Sequence, residues 1–175
     1  IGSDLGPGFM SHSKDLVKNR FFMEGVSEQH VIGMSAGMAL EGYIPYVNTI
    51  STFLTRRCFE QIVVDLCLQN LPVKLIGNGG GLVYGHLGPT HQAIEDISIL
   101  RAIPNMTIIA PCDKNEMRNV VKATVNYPGP IYIRLSKGDE DIFTPINQEF
   151  KIGKGVVLKE PGEYLFITTG ISSRI

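Results

Sequence analysis

Short apolar runs alternate with amphipathic stretches along almost the whole chain, and no other feature constrains the fold as strongly. "YIPYVNTIS" (43–51), "LPVKLIG" (71–77), "MTIIAPC" (106–112) and "PIYIRLSK" (130–137) read as strands, and "RFFMEG" (20–25) as a shorter one. Between them, "FLTRRCFEQIVVDLCLQN" (53–70) carries apolar residues at Phe59, Ile62, Val63, Leu66 and Cys67, a helical spacing. Further helices are expected around 94–102 and over 114–127. Strands separated by roughly 10–18 residues of helix build βαβ units, so the expected fold class is α/β, a parallel β-sheet flanked by helices. Pro145 and mixed charge mark 139–153 as a linker. "KGVVLKE" and "YLFITTG", joined by a turn at Pro161-Gly162, read as the first strands of another domain. The expected division is therefore 1–138, 139–153 and 154–175.

Bulk properties narrow the function classes. A formal net charge of -1, with no run of five or six basic residues, argues against a nucleic-acid surface. No apolar run reaches the roughly 18 residues of a membrane span. Cys58, Cys67 and Cys112 are odd in number and lack a CxxC spacing, so buried free thiols and a cytoplasmic location are expected. Both ends resemble cuts through a longer protein.

The stretch "EGVSEQHVIGMSAGMAL" (24–40) places Glu28 in the first turn of a helix after Ser27, the expected N-cap. An acid there is favoured by the helix dipole. The small residues that follow (Gly33, Ser35, Ala36, Gly37, Ala39) let the helix approach another backbone or chain closely. Burial disfavours the charged form of a carboxyl, so an acid in this place can also hold or share a proton. Both readings stay open on pattern alone.

"GPTHQAIED" sets His91 at the entrance to a helix, where it can act as general acid or base or simply bond its own loop. "NGGGLVYG" is Gly-rich without a GxGxxG or GxxxxGK[ST] spacing; its glycines serve close approach to a ligand or a mobile loop. Phe53, Arg56 and Phe59 lie three apart on one expected helix face, fit to stack on a flat heterocycle or to be core packing plus a solvated arginine, a reading that the second arginine, Arg57, supports. Arg134 and Lys137 end a strand at its carboxyl edge, where open parallel sheets place ligands. They can clamp a phosphate or remain surface charges.

In their order along the chain, "SDLG", "RFFMEGVSEQHVIGMSAGMALEGYIPYV", "STFLTRRCFEQIVVDLCLQNLPV", "GPTHQAIEDISILRAIPNMTIIAPCDKNE", "GPIYIRLSKG" and "FKIGKGVVLKEPGEYLFITTGI" resemble the pyrimidine-binding domain of transketolases. The likeness is closest to the C-terminal section of split transketolases, and it extends to 1-deoxyxylulose-5-phosphate synthases. The resemblance implies thiamine diphosphate as cofactor, bound between two chains, with Mg2+ or Ca2+ and the diphosphate held by a partner N-terminal section. A homodimer or heterotetramer and a sugar phosphate substrate follow from the same likeness.

Glu28 falls on the family's catalytic glutamate, which exchanges a proton with the pyrimidine ring. Phe53 and Phe59 match aromatic positions of the pyrimidine pocket, and Arg56 follows the synthase-like form of that helix. Asp4 corresponds to an acid in the cofactor site across the interface. His91 matches a substrate-facing histidine, and Lys137 stands where a phosphate-binding arginine is usual. The chain departs from the family at Leu87, in place of an acid, and at Asn78, Gly79 and Gly80, where a histidine is usual. Both lost groups face sugar hydroxyls, which weakens recognition of an ordinary donor; His86 is the candidate substitute. The family's metal motif, of the GDG…N type, does not occur in the 175 residues. The chain alone is therefore expected to have no transketolase activity. The alternatives are a synthase-like or 2-oxo-acid dehydrogenase β-like subunit, or a non-catalytic subunit of the same fold.

Overall fold

The structure, a computed structural model, describes residues 1–3, 11–138, 140–160 and 162–174. Asp4 lies outside the described residues. Helices α1 (Ser11–Val17) and α2 (Glu28–Leu40) precede strand β1 (Tyr46–Ile50). Helix α3 (Ser51–Thr55), the short α4 (Phe59–Gln61) and a π-helical turn (Ile62–Cys67) cross over to β2 (Lys74–Asn78). Helix α5 (Asp96–Leu100) leads to β3 (Thr107–Ile109), and α6 (Lys114–Thr124) returns to β4 (Ile131–Arg134). The strands are all parallel, in the order β1-β2-β4-β3, with Tyr46 opposite Lys74 and both Lys74 and Thr107 opposite Ile131. The expected strand at 20–25 reduces to one bridge, Met23 to Gly2; Gly2 also bridges Asn48 of β1.

Both sheet faces are covered, which explains why the strands read as continuous apolar runs. Leu75 and Tyr132 face the main core with Val31, Ile32 and Ala36 of α2 and with Leu54 and Leu66. Ile131 and Ile133, which alternate with Tyr132 along β4, face a second cluster with Ile109 and Val120 of α6. All three cysteines are free and buried, as expected. Burial pushes the Cys58 thiol up to about 12 and Cys67 to about 11.

Two expectations fail. The helix expected over 53–70 is broken after Thr55, whose hydroxyl donates to the Ser51 carbonyl at 2.8 Å, and it resumes at Phe59 to run into the π-helical turn. Such back-bonding by Thr bends a helix. The two strands expected over 154–169 do not form among the described residues; the next element along the chain is the 3-10 turn Gly170–Arg174. Tyr164, Leu165, Phe166 and Ile167 are strongly exposed, and two strands without a sheet to join are marginal in water. The segment expected as a linker runs along α6: Asn115 Nδ2 donates to the Thr144 carbonyl at 2.8 Å and Asn119 Nδ2 to the Gln148 carbonyl at 2.9 Å.

Lys74 is buried at the start of β2, donating to the carbonyls of Tyr127 (2.8 Å) and Gly129 (2.9 Å) below the C-terminal end of α6. Burial lowers its ammonium from 10.5 to about 8. The unfolded chain therefore binds this proton more tightly, and Lys74's contribution to stability rises between about pH 8 and 10.5, by about 3 kcal/mol. The buried thiols act oppositely, losing stability above their unfolded value of 9. The Lys74 effect is isolated as the difference between wild type and Lys74→Met in urea unfolding at pH 7 and pH 10. Equal differences at the two pH values refute it.

Candidate active site

Glu28 begins α2 and is 3% exposed. Its Oε2 accepts from Arg57 Nη1 at 3.3 Å, while its Oε1 is buried without a hydrogen-bond partner. A buried carboxylate oxygen left unpaired is costly, so it points to a missing donor. Ser27 holds the N-cap position, but its hydroxyl donates to the Glu24 carbonyl and caps nothing. Ser3 Oγ instead ties this entrance together, donating to the Gly25 carbonyl at 2.7 Å and accepting from the Ser27 amide at 3.3 Å. A cleft of about 310 Å³ opens here, lined by Val26, Ser27, Glu28, Gln29, His30 and Arg57.

Phe53, buried on α3, carries the Arg57 guanidinium over its ring at 4.1 Å and meets the His91 ring edge-on at 5.0 Å. His91 Nδ1 is held by Thr90 Oγ1 at 2.8 Å. The structure thus brings together Glu28, Arg57, Phe53 and His91 in one contiguous series.

Arg56 turns the other way. It pairs with Glu95 and donates to the carbonyls of Pro89 (2.9 Å) and Gln92 (2.8 Å), so it braces the loop that carries His91. The hydrogen bond between them raises Arg56 and lowers Glu95 from their ordinary values. Phe59 is 37% exposed while Phe53 is 7% exposed, because the break after Thr55 rotates the second aromatic off the first one's face. The expectation of three residues on one helix face is corrected accordingly. Lys137 and His86 are both exposed, His86 on the 3-10 turn Gly85–Leu87.

Arg134 is engaged by the protein itself. Its Nε donates to the buried carboxylate of Asp96 at 2.8 Å, which also accepts from Tyr132 Oη at 2.8 Å. Burial, followed by the Asp96 charge, pushes the Tyr132 phenol above its ordinary range. The Gly-rich loop closes over this network. A Cβ at Gly80 would stand 2.7 Å from Arg134 Nε, and one at Gly79, where φ is +80°, would stand 2.2 Å from the Tyr84 ring. These glycines permit close approach to the chain's own side chains. Asn78, in the place of the expected histidine, bonds Asn48 and donates to the Thr49 carbonyl at 3.3 Å, joining the ends of β1 and β2.

Sequence reasoning missed Arg57 as a partner of Glu28, and also the Asp96–Tyr132–Arg134 network. The run of two arginines carries no signal telling which one folds inward.

The fold is a parallel α/β domain in which a buried, half-paired acid, an arginine, an aromatic ring and a histidine form one contiguous series. The family described as "Transketolase, pyrimidine binding domain" matches residues 1–140. The chain is 41% identical over 170 residues to 1-deoxy-D-xylulose-5-phosphate synthase 1 of Geobacter sulfurreducens, covering 95% of this chain and 26% of that protein. It is 37% identical over 147 residues to one subunit of the apulose-4-phosphate transketolase of Phocaeicola vulgatus, covering 83% of this chain and 47% of the relative. A solved split-gene transketolase, an inactive β4 tetramer, superposes with a TM-score of 0.79 at 34% identity, over 91% of this chain and 52% of that one. The chain belongs to the transketolase pyrimidine-binding domain family, and it spans about a quarter to a half of these relatives' length.

Proposed function

We propose that the chain supplies the pyrimidine-binding half of a thiamine-diphosphate-dependent, transketolase-type enzyme that moves a two-carbon ketol unit between sugar phosphates. The observation that carries this is the buried Glu28 Oε1 without a partner, joined to the Phe53 ring through Arg57, which contacts both. A flat ring with a protonated or proton-accepting nitrogen fits that pair, since it satisfies the orphaned oxygen and stacks on the aromatic face.

When bound, the cofactor supplies a carbon nucleophile for the ketose carbonyl. Glu28 holds or shares a proton with the pyrimidine nitrogen, and Phe53 orients the ring. His91, braced through Thr90 and the Arg56-held loop, gives or takes a proton at the substrate hydroxyl. Lys137 and His86, both at the surface, contact the sugar phosphate, and Asp4 has the cofactor-site role that its match to the family implies. An N-terminal transketolase section carries the diphosphate with Mg2+ or Ca2+, in a homodimeric or heterotetrameric assembly. A relative named as a single subunit of a transketolase and a solved split-gene tetramer named as inactive support that division of labour. So does the open glycine side of α2, where a Cβ at Gly37 would meet nothing within 4 Å.

The test is co-purification with the complementary section, followed by calorimetry with thiamine diphosphate and Mg2+. The complex binds the cofactor, and Phe53→Ala weakens binding by about 3- to 10-fold, the worth of one aromatic stack. The chain alone gives no turnover. Turnover by the isolated chain, or no cofactor binding by the complex, contradicts the proposal. A second reading, a synthase-type subunit that decarboxylates a 2-oxo acid, is favoured by the 41% identity to the synthase. Release of CO2 from a 2-oxo acid, in place of ketol transfer, selects it.

A further inference from the structure

Arg57 makes two contacts of the kind a flat, N–H-bearing ligand would make. Its guanidinium lies 4.1 Å over the Phe53 ring, and its Nη1 donates to Glu28 Oε2 at 3.3 Å. A flat group that stacks on that ring and offers N–H to that carboxylate reproduces the two features by which an aminopyrimidine would be recognised there. The rest of the ring is packed: Phe53 is 7% exposed, and His91 lies against it in a T-shaped pair. Two flat groups cannot share one ring face. The Arg57 side chain is 45% exposed, so it can swing out, and its stack on the ring is weak at such a site. Its bond to Glu28, which is 3% exposed, is given up only as the incoming ring's N–H takes over that carboxylate.

We propose that Arg57 is a placeholder: it occupies the aminopyrimidine seat on Phe53 and neutralises Glu28 until the cofactor ring displaces it towards solvent. The inference rests on the pyrimidine-binding reading above. It makes Arg57 a positioning residue that acts through Glu28. While Arg57 is in place it supplies the cation that a buried carboxylate needs. Once it has left, no cation opposes a proton between Glu28 and the ring. The other titratable groups facing this carboxylate do not replace it: the Cys58 thiol, pushed up to about 12, stays neutral, and His30 lines the open cleft.

The test uses the full-length protein in its native assembly, with the free hydroxymethyl-aminopyrimidine half of thiamine as probe. In the ligand-free protein the Arg57 side-chain protons are shifted upfield by the Phe53 ring current, and they move to free-arginine positions as the probe binds. By calorimetry, Arg57→Ala binds the probe about tenfold more tightly than wild type, since no competitor has to leave. Arg57→Lys keeps the charge without the flat stack and falls between the two. Weaker or unchanged binding in Arg57→Ala overturns the inference, because Arg57 is then a ligand contact or a bystander. Unshifted Arg57 protons in the ligand-free protein overturn it too, with no bearing on the cofactor. If neither wild type nor Arg57→Ala binds the probe, the pyrimidine-binding reading itself has failed and the inference falls with it.

Discussion

Glu28→Gln lowers turnover of the assembled enzyme by about 10²- to 10⁴-fold, the range that a positioned proton donor or acceptor contributes. The substitution keeps the volume and the planar end of the side chain, so the buried entrance of α2 stays packed. What it removes is an oxygen able to hold and return a proton: an amide neither ionises near neutral pH nor protonates. The amide can still donate to a ring nitrogen, so thiamine diphosphate affinity changes by only a few-fold and the loss falls on kcat. Steady-state kinetics together with calorimetry on the same complex separate the two quantities. Turnover within about threefold of wild type would show that Glu28 has no proton-transfer role.

Asp113→Ala destabilises the fold by about 3–5 kcal/mol, which lowers Tm by on the order of 10 °C. Asp113 is 5% exposed and caps α6, accepting from the amides of Asn115 and Glu116, both at 2.9 Å. It also accepts from the amides of Phe143 (3.0 Å) and Thr144 (2.8 Å) and from the Thr144 hydroxyl (2.7 Å). Alanine strands all of these donors at once, and it frees the segment after β4 from the helix. Burial by itself would raise the Asp113 carboxyl, but these bonds outweigh it and hold it at about 2, against an ordinary 3.8.

The carboxylate's contribution, about 2 kcal/mol, is full above pH 3.8 and is lost as pH falls through about 2. Thermal unfolding of wild type and Asp113→Ala at pH 7 and pH 2.5 measures it, and the gap between them narrows in acid. A gap that stays constant with pH, or a loss below 1 kcal/mol at pH 7, contradicts the assignment.

The two residues differ in how much of their role is legible in the sequence. The first turn of α2, the apolar strands and the crossover helices follow from period and spacing, and the order of Glu28, Phe53 and His91 along the chain singles them out. Asp113 followed three residues later by Glu116 is a helix-start signature that a reading by apolar period alone overlooks. That its carboxylate also grips Phe143 and Thr144, about thirty residues on, has no local signal.

Where the sequence misleads, contacts between distant segments override local pattern. Periodicity treats 53–70 as one helix, yet back-bonding at Thr55 and the π-helical turn break it, so Arg56 goes to the His91 loop and Arg57 to Glu28. The Gly-rich loop suggests room for a ligand, and that room is filled by Arg134 and Tyr84. The strand pattern of 154–169 remains unpaired among the described residues.

By itself, then, the sequence determined the α/β class, the parallel sheet and the position of an acid at the head of α2, because hydrophobic period and helix-start chemistry are local. Only the tertiary structure decided which arginine faces that acid, that one of its oxygens lacks a partner, and that the ring of Phe53 lies between Arg57 and His91. Those outcomes depend on side chains from α2, α3 and the loop before α5 arriving at one place, and pairing across such distances is set by packing.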